Sequence, residues 1–214
     1  MARPADPDLR QRLIAAATEA FAASGYAGAT LDDIAARAGV TKGGLYFHFA
    51  GKEELFFAVL DHWRDVRRRE LQVAPVGGEG AAVALQRFLS AYLAFHVREP
   101  AATHLLRVLA TELRGRFTAR LREDERQEQR WLRANVRELL LLGVRDGSLA
   151  VDDPALAAFA LAATVGGVLL QWHAAPGDVE MHCDVELLAR WLVTRFATGL
   201  APSERGDEFG FGPR

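Results

Sequence analysis

The feature that most constrains this chain is the run from Thr30 to Phe49, which reads as two short helices around a glycine turn. Thr30 can cap the first helix, and Asp33 three residues later completes a capping-box-like pair. Leu31, Ile34, Ala35 and Ala38 then recur on one face at helical spacing. Gly39 ends that helix, because a residue without a Cβ enters a left-handed turn at little cost. Val40 can fill the angle between the helices, and Thr41 can cap the second. Leu45 and Phe49, four apart, face inward, which leaves Lys42, Gly43, Tyr46, Phe47 and His48 pointing outward.

An outward face of Tyr, Phe and His beside Lys calls for an explanation, since a merely solvated helix usually carries Glu, Lys and Gln. A DNA duplex supplies one. Thr30, Thr41, Tyr46, His48 and Lys52 can reach phosphate oxygens, while Lys42, Gly43 and Phe47 stand where base edges and a thymine methyl group would lie. No acidic residue occurs from Thr41 to Lys52, although acids slightly outnumber bases over the whole chain. The protein's two lysines, Lys42 and Lys52, both fall here, every other cationic side chain being arginine or histidine. Lys52 also opens the next helix, whose first N–H groups can hold a phosphate.

With Phe21 and Gly25-Tyr26 before it and Lys52-Glu53-Glu54-Leu55 after it, this segment closely resembles the DNA-binding domain of the TetR/AcrR family of bacterial transcription regulators. The elements that carry the resemblance are Ile34-Ala35, Ala38-Gly39-Val40, Lys42-Gly43 and Leu45-Tyr46-Phe47-His48-Phe49. Gly44 departs from the family pattern, in which this position often bears a side chain able to reach bases. The resemblance implies an all-α fold of about nine helices. It comprises an N-terminal three-helix domain with the helix-turn-helix and a larger helical domain for ligand binding and dimerisation. On this sequence those are 7–67, with the motif at 30–49, and 78–200, followed by a tail at 201–214 expected to be disordered.

The remaining sequence agrees with a two-domain helical protein of 214 residues. A net charge of −2 excludes a general polyanion binder, so affinity for DNA must come from a local patch. One cysteine, Cys183, leaves no intramolecular disulfide and suits a reducing cytoplasm; no signal peptide is evident at the start. Apolar residues at helical spacing predict a helix ending at Gly25, another from about Lys52 to Leu71, and others over about 80–98, 101–113 and 117–145. Arg67, Arg68 and Arg69 are expected to form a solvated helix end suited to the helix dipole. The break at 74–78 reads as the join between domains.

Between Ala155 and Ala175 there is no charge, a length that could cross a bilayer. Its Ala and Gly content, with Thr164, Gln171 and His173, favours instead a helix buried on two sides, one against a second copy. The resemblance implies that helices at about 154–174 and 184–198 form a homodimer interface, and no membrane anchor is expected. The histidines lie in different helices without metal-ligand spacing, so no metal is expected, and no catalytic or nucleotide-binding motif occurs. No cofactor and no enzyme activity are expected. Trp63, Phe88, Tyr92, Trp131, Gln171 and Trp172 are candidates to line a cavity for an apolar or amphiphilic effector, although such residues are more often packing residues than ligand contacts.

What these readings imply is a cytoplasmic homodimer that occupies operator DNA as a repressor and is released by a small molecule. An activator, or a regulator that needs no ligand, is the alternative. An α-helical enzyme and a membrane-associated helical protein are remoter ones.

Overall fold

The computed structural model describes residues 7–71, 74–111, 118–174 and 184–197. These form helices only: α1 (Pro7–Gly28), α2 (Leu31–Arg37), α3 (Lys42–His48), α4 (Lys52–Glu70), α5 (Ala81–Arg98), α6 (Pro100–Thr111), α7 (Thr118–Asp146), α8 (Pro154–Ala174) and α9 (Val185–Ala197). The described residues fall into two compact units. Among the described residues, one draws on 7–71, 91–111, 118–128 and 168–174, the other on 74–90, 129–167 and 184–197. The expected tail at 201–214, Cys183 and the turn after Ala175 lie outside the described residues.

In the first unit α1 packs against α2, α4 and α6, and α2 against α3. Leu13, Ala17, Ala20 and Phe21 form the buried face of α1, as their spacing requires. Gly25 breaks that helix at φ 67, ψ 177, and a further short turn carries the chain to Gly28. The break turns Tyr26 inward. Its ring lies 5.1 Å from Phe56, which stands 5.0 Å from Phe21, both pairs edge to face. Such aromatic contacts add about 1 kcal/mol each beyond the burial of their area. Leu45 and Phe49 anchor α3 in the same core, and Leu105 of α6 closes it. Trp63 ties α4 to α1 by donating from Nε1 to the Thr18 hydroxyl at 3.3 Å.

One expectation fails here. Arg67 does not belong to a solvated helix end: it is 4% exposed and pairs with Glu128 of α7. Its guanidinium lies 5.2 Å from the Tyr92 ring and 5.9 Å from that of Phe95. Only Arg69 of the triplet is exposed, while Arg68 is half-buried, 3.7 Å from the same Glu128.

In the second unit the turn after α7 caps the start of α5. The Asp146 carboxylate accepts from the Ala81 N–H at 2.8 Å and the Ser148 hydroxyl oxygen from that of Ala82 at 3.1 Å. Phe88 and Trp131 pair with ring centres 6.0 Å apart. Asp153 caps α8 through the N–H groups of Ala155 and Leu156, directly before Pro154 opens the helix, and Asp184 caps α9 likewise. Both of these helices leave large apolar groups bare: Leu156, Phe159 and Leu170 on α8, Leu187 and Trp191 on α9, each more than half exposed.

Candidate nucleic-acid interface

The two motif helices are set by the caps their sequence prescribes. Thr30 takes an extended backbone and its side-chain oxygen accepts from the Asp33 N–H at 3.1 Å, while its hydroxyl donates to the Asp33 carboxylate at 2.7 Å. Gly39 turns the chain at φ +69. The Val40 N–H then returns to the Ala35 carbonyl at 2.9 Å, which closes the helix end. Thr41 accepts from the Gly44 N–H at 3.2 Å and starts α3. With Leu45 and Phe49 buried, the opposite face of α3 must project outward.

That face carries the aromatic groups expected. Phe47 is 75% exposed and Tyr46 48%, with His48 half-buried and its ring 5.3 Å from that of Phe47, edge on. Gly43 is exposed, and a Cβ there would meet nothing closer than the Thr41 hydroxyl oxygen at 3.9 Å. The backbone of α3 is thus open to close approach from outside. Exposing so much aromatic surface costs hydration free energy on the order of 1–2 kcal/mol per ring, unless a partner covers it.

The two lysines stand differently from their sequence-based picture. Lys42 Nζ lies 2.9 Å from the Asp32 carboxylate, so the face that reads as free of acids along Thr41–Lys52 receives one from α2. The hydrogen bond to Asp32 and then its charge raise the Lys42 pKa above the ordinary value. Lys52 turns back on its own unit: its ammonium donates to the Ala27 carbonyl at 3.2 Å and sits 4.8 Å from the Tyr26 ring centre. At the start of α4 the Glu54 carboxylate accepts from the Ala50 N–H at 2.6 Å, which supplies an acid where a phosphate was envisaged.

Sequence reasoning missed Asp32 because its partner lies ten residues away on another helix. Thr41, Lys42, Gly43, Tyr46, Phe47 and His48 fall on α3 or cap it, whereas Thr30 caps α2 and Lys52 opens α4. The effector candidates divide. Trp63 and Tyr92 lie in the first unit, Tyr92 buried and its hydroxyl pKa pushed up to about 12 by that burial. Phe88 and Trp131 form their pair in the second, Gln171 is exposed and Trp172 half-buried.

A trihelical unit that presents such a recognition helix from a glycine turn defines a helix-turn-helix DNA-binding regulator. Residues 13–59 match the family model of bacterial regulatory proteins of the tetR family. The HTH-type transcriptional regulator TtgR of Pseudomonas putida is 30% identical over 198 residues, 87% of this chain and 89% of that one. SrpR of Pseudomonas putida is 57% identical over 53 residues, but those make up only 25% of either protein. For TtgW the matched 53 residues are 40% of that protein's length. Among solved structures, the SmeT–triclosan complex superposes with a TM-score of 0.73 at 23% identity, covering 97% of this chain and 100% of that one. A TetR-family regulator from Mesorhizobium loti gives 0.71 at 24%, covering 88% and 95%. The chain belongs to the TetR family of transcriptional regulators; it is a DNA-binding regulator and not an enzyme.

Proposed function

We propose that the protein is a cytoplasmic homodimeric repressor that occupies a roughly palindromic operator and leaves it when a small molecule binds. The observation that carries this reading is the bare aromatic face of α3, Tyr46 and Phe47 beside Lys42, held outward by Leu45 and Phe49 beneath it. Thr30, Thr41, Tyr46, His48 and Lys52 serve phosphates, and Lys42, Gly43 and Phe47 stand near the bases. Two copies would place their recognition helices in successive major grooves, about 34–36 Å apart. The two-domain division at about 67–78 belongs to the same reading.

Support for the second copy comes from α8 and α9. The span Pro154–Trp172 is long and apolar enough to cross a membrane by length and composition, yet only 28% of it is buried within one chain. Leu156 and Phe159 on α8 and Leu187 and Trp191 on α9 need cover, and a matching pair of helices from a second copy supplies it. Effector binding acts only through different affinities for the DNA-bound and free arrangements. The triclosan complex of SmeT supports an apolar or amphiphilic effector, for which Trp63, Phe88, Tyr92, Trp131, Gln171 and Trp172 are the candidate contacts.

An activator is the second reading, favoured by the name of FasR of Mycolicibacterium smegmatis, a transcriptional activator 50% identical over 56 residues. Selection of duplexes from a random pool by the purified protein, followed by transcription from the selected site, separates the two. A paired half-site and reduced transcription are expected. Failure to enrich any duplex would reject DNA readout by α3. The Phe159→Asp and Trp191→Asp variants should sediment as monomers; persistent dimers would remove α8 and α9 from the interface.

A further inference from the structure

Several cations around the motif already have partners on their own chain. Arg37 pairs with Glu19 at 3.7 Å, Lys42 pairs with Asp32 at 2.9 Å, and Lys52 donates to the Ala27 carbonyl. Arg10 of α1 stands apart. It is exposed, and among the described residues no carboxylate lies within ion-pair distance of it. Its guanidinium carbon sits 5.3 Å from the centre of the Phe49 ring, and Phe49 is the buried residue that caps the C-terminal end of α3. A guanidinium held over a ring face keeps its N–H donors available along the edge of its plane. His62 of α4 registers the charge: its pKa is lowered by burial first, then by Arg69, and also by Arg10 against an opposing Asp65.

The place of that charge is what gives it a use. The last carbonyls of a helix carry a partial negative charge, about half an elementary charge, which repels a phosphate. With seven residues α3 is about 10 Å long, and a major groove is about 12 Å wide. Both ends of a helix lying in it therefore come near the sugar–phosphate walls. At the N-terminal end the dipole itself favours a phosphate. At the C-terminal end a cation reverses the sign, and Arg10 is held there. We propose that Arg10 is a phosphate-positioning residue, its guanidinium seated on Phe49 and bound to the DNA backbone beside the C-terminal end of α3. The proposal rests on DNA readout by α3 and adds a contact from α1, outside the helix-turn-helix. A planar fork suits phosphate oxygens, and an aromatic seat that orders it before DNA arrives lowers the cost of binding. Such a contact carries no base information, so it acts on every duplex alike.

The test follows the full-length protein by fluorescence anisotropy over a range of salt concentrations. It uses the duplex selected from a random pool and, beside it, a mixed-sequence duplex. Arg10→Gln should weaken both several-fold and lower the salt slope by about one unit, at a nearly unchanged melting temperature. Arg10→Lys keeps the charge but not the fork, so the slope should return while affinity recovers only in part. Neutral methylphosphonates placed singly along the selected duplex should locate the contact: at a position in each half-site the parent loses affinity and Arg10→Gln loses none. A lower melting temperature with slope and affinity unaltered would make Arg10 a prop for Phe49 and overturn the assignment. Methylphosphonate losses identical in the two proteins would overturn it as well. A parent that selects its duplex while Arg10→Gln matches it in slope rejects Arg10 alone. A parent that enriches no duplex removes readout by α3, and the placement of Arg10 falls with it.

Discussion

Lys42 and Asp32 meet across the turn of the motif, Nζ to carboxylate at 2.9 Å, on its solvent-exposed side. The pair is exposed, with side-chain accessibilities of 52% and 66%, so its worth to the fold is small. Its effect on binding is not, because a carboxylate beside a phosphate-rich groove repels while the ammonium it holds attracts. The Asp32→Asn variant should bind duplex DNA several-fold more tightly at low salt, with a steeper dependence on salt concentration. Fluorescence anisotropy at two or three salt concentrations decides it; unchanged or weaker binding would show that Asp32 positions Lys42 productively.

Lys52 poses the opposite question, since Ala27 and Tyr26 already hold its ammonium. Lys52→Ala should weaken binding to all sequences alike and lower the salt slope by about one unit. A lowered melting temperature with an unaltered slope would assign the lysine to the fold alone.

Gly43 separates folding from recognition. It sits inside α3 at an ordinary helical φ, and a Cβ would have room. Gly43→Ala should therefore stabilise the protein by about 0.5–1 kcal/mol in urea. The same methyl group stands where a duplex would approach, so operator affinity should fall; equal or better affinity would move the base contact away from Gly43.

The buried pair of Arg67 and Glu128 makes a prediction about stability. Arg67→Met alone should cost about 3–5 kcal/mol, because Glu128 is left inside without its partner. Adding Glu128→Gln should recover most of that loss. If urea melts show the single variant as stable as the parent, the pair carries little.

Acid stability should depend on Asp146. Hydrogen bonds from Ser148 and then from the Ala81 N–H hold its folded pKa below the ordinary 3.8. A carboxyl depressed in the folded state contributes stability that is complete above the ordinary value and is lost as pH falls from there toward the depressed one. Denaturation measured between pH 6 and pH 2 should show this loss in the parent and less of it in Asp146→Asn. Parallel curves would reject the cap as a source of acid sensitivity.

What could be read from the residues alone follows from how far each interaction reaches. Thr30, Gly39 and Thr41 act on neighbours three or four positions away, and Leu45 and Phe49 obey helical period, so the motif was legible to the residue. Arg67 was not. Three consecutive arginines at a helix end look solvated until Glu128, on a distant part of the chain, takes one of them inside. The acid beside Lys42 was hidden for the same reason. On α8 the uncharged run announced an apolar helix, but composition cannot say whether a lipid, a core or a twin covers it.

Gly25 touches no groove and carries no side chain, yet its backbone, at φ 67 and ψ 177, occupies a region open to essentially no other residue. A screen that collects variants unable to occupy an operator should therefore recover replacements at Gly25 as readily as at Phe47. The two would look alike in cells and differ in the tube: one misplaces the aromatic seat of Tyr26 before any DNA is met, the other folds normally and meets it without a reader.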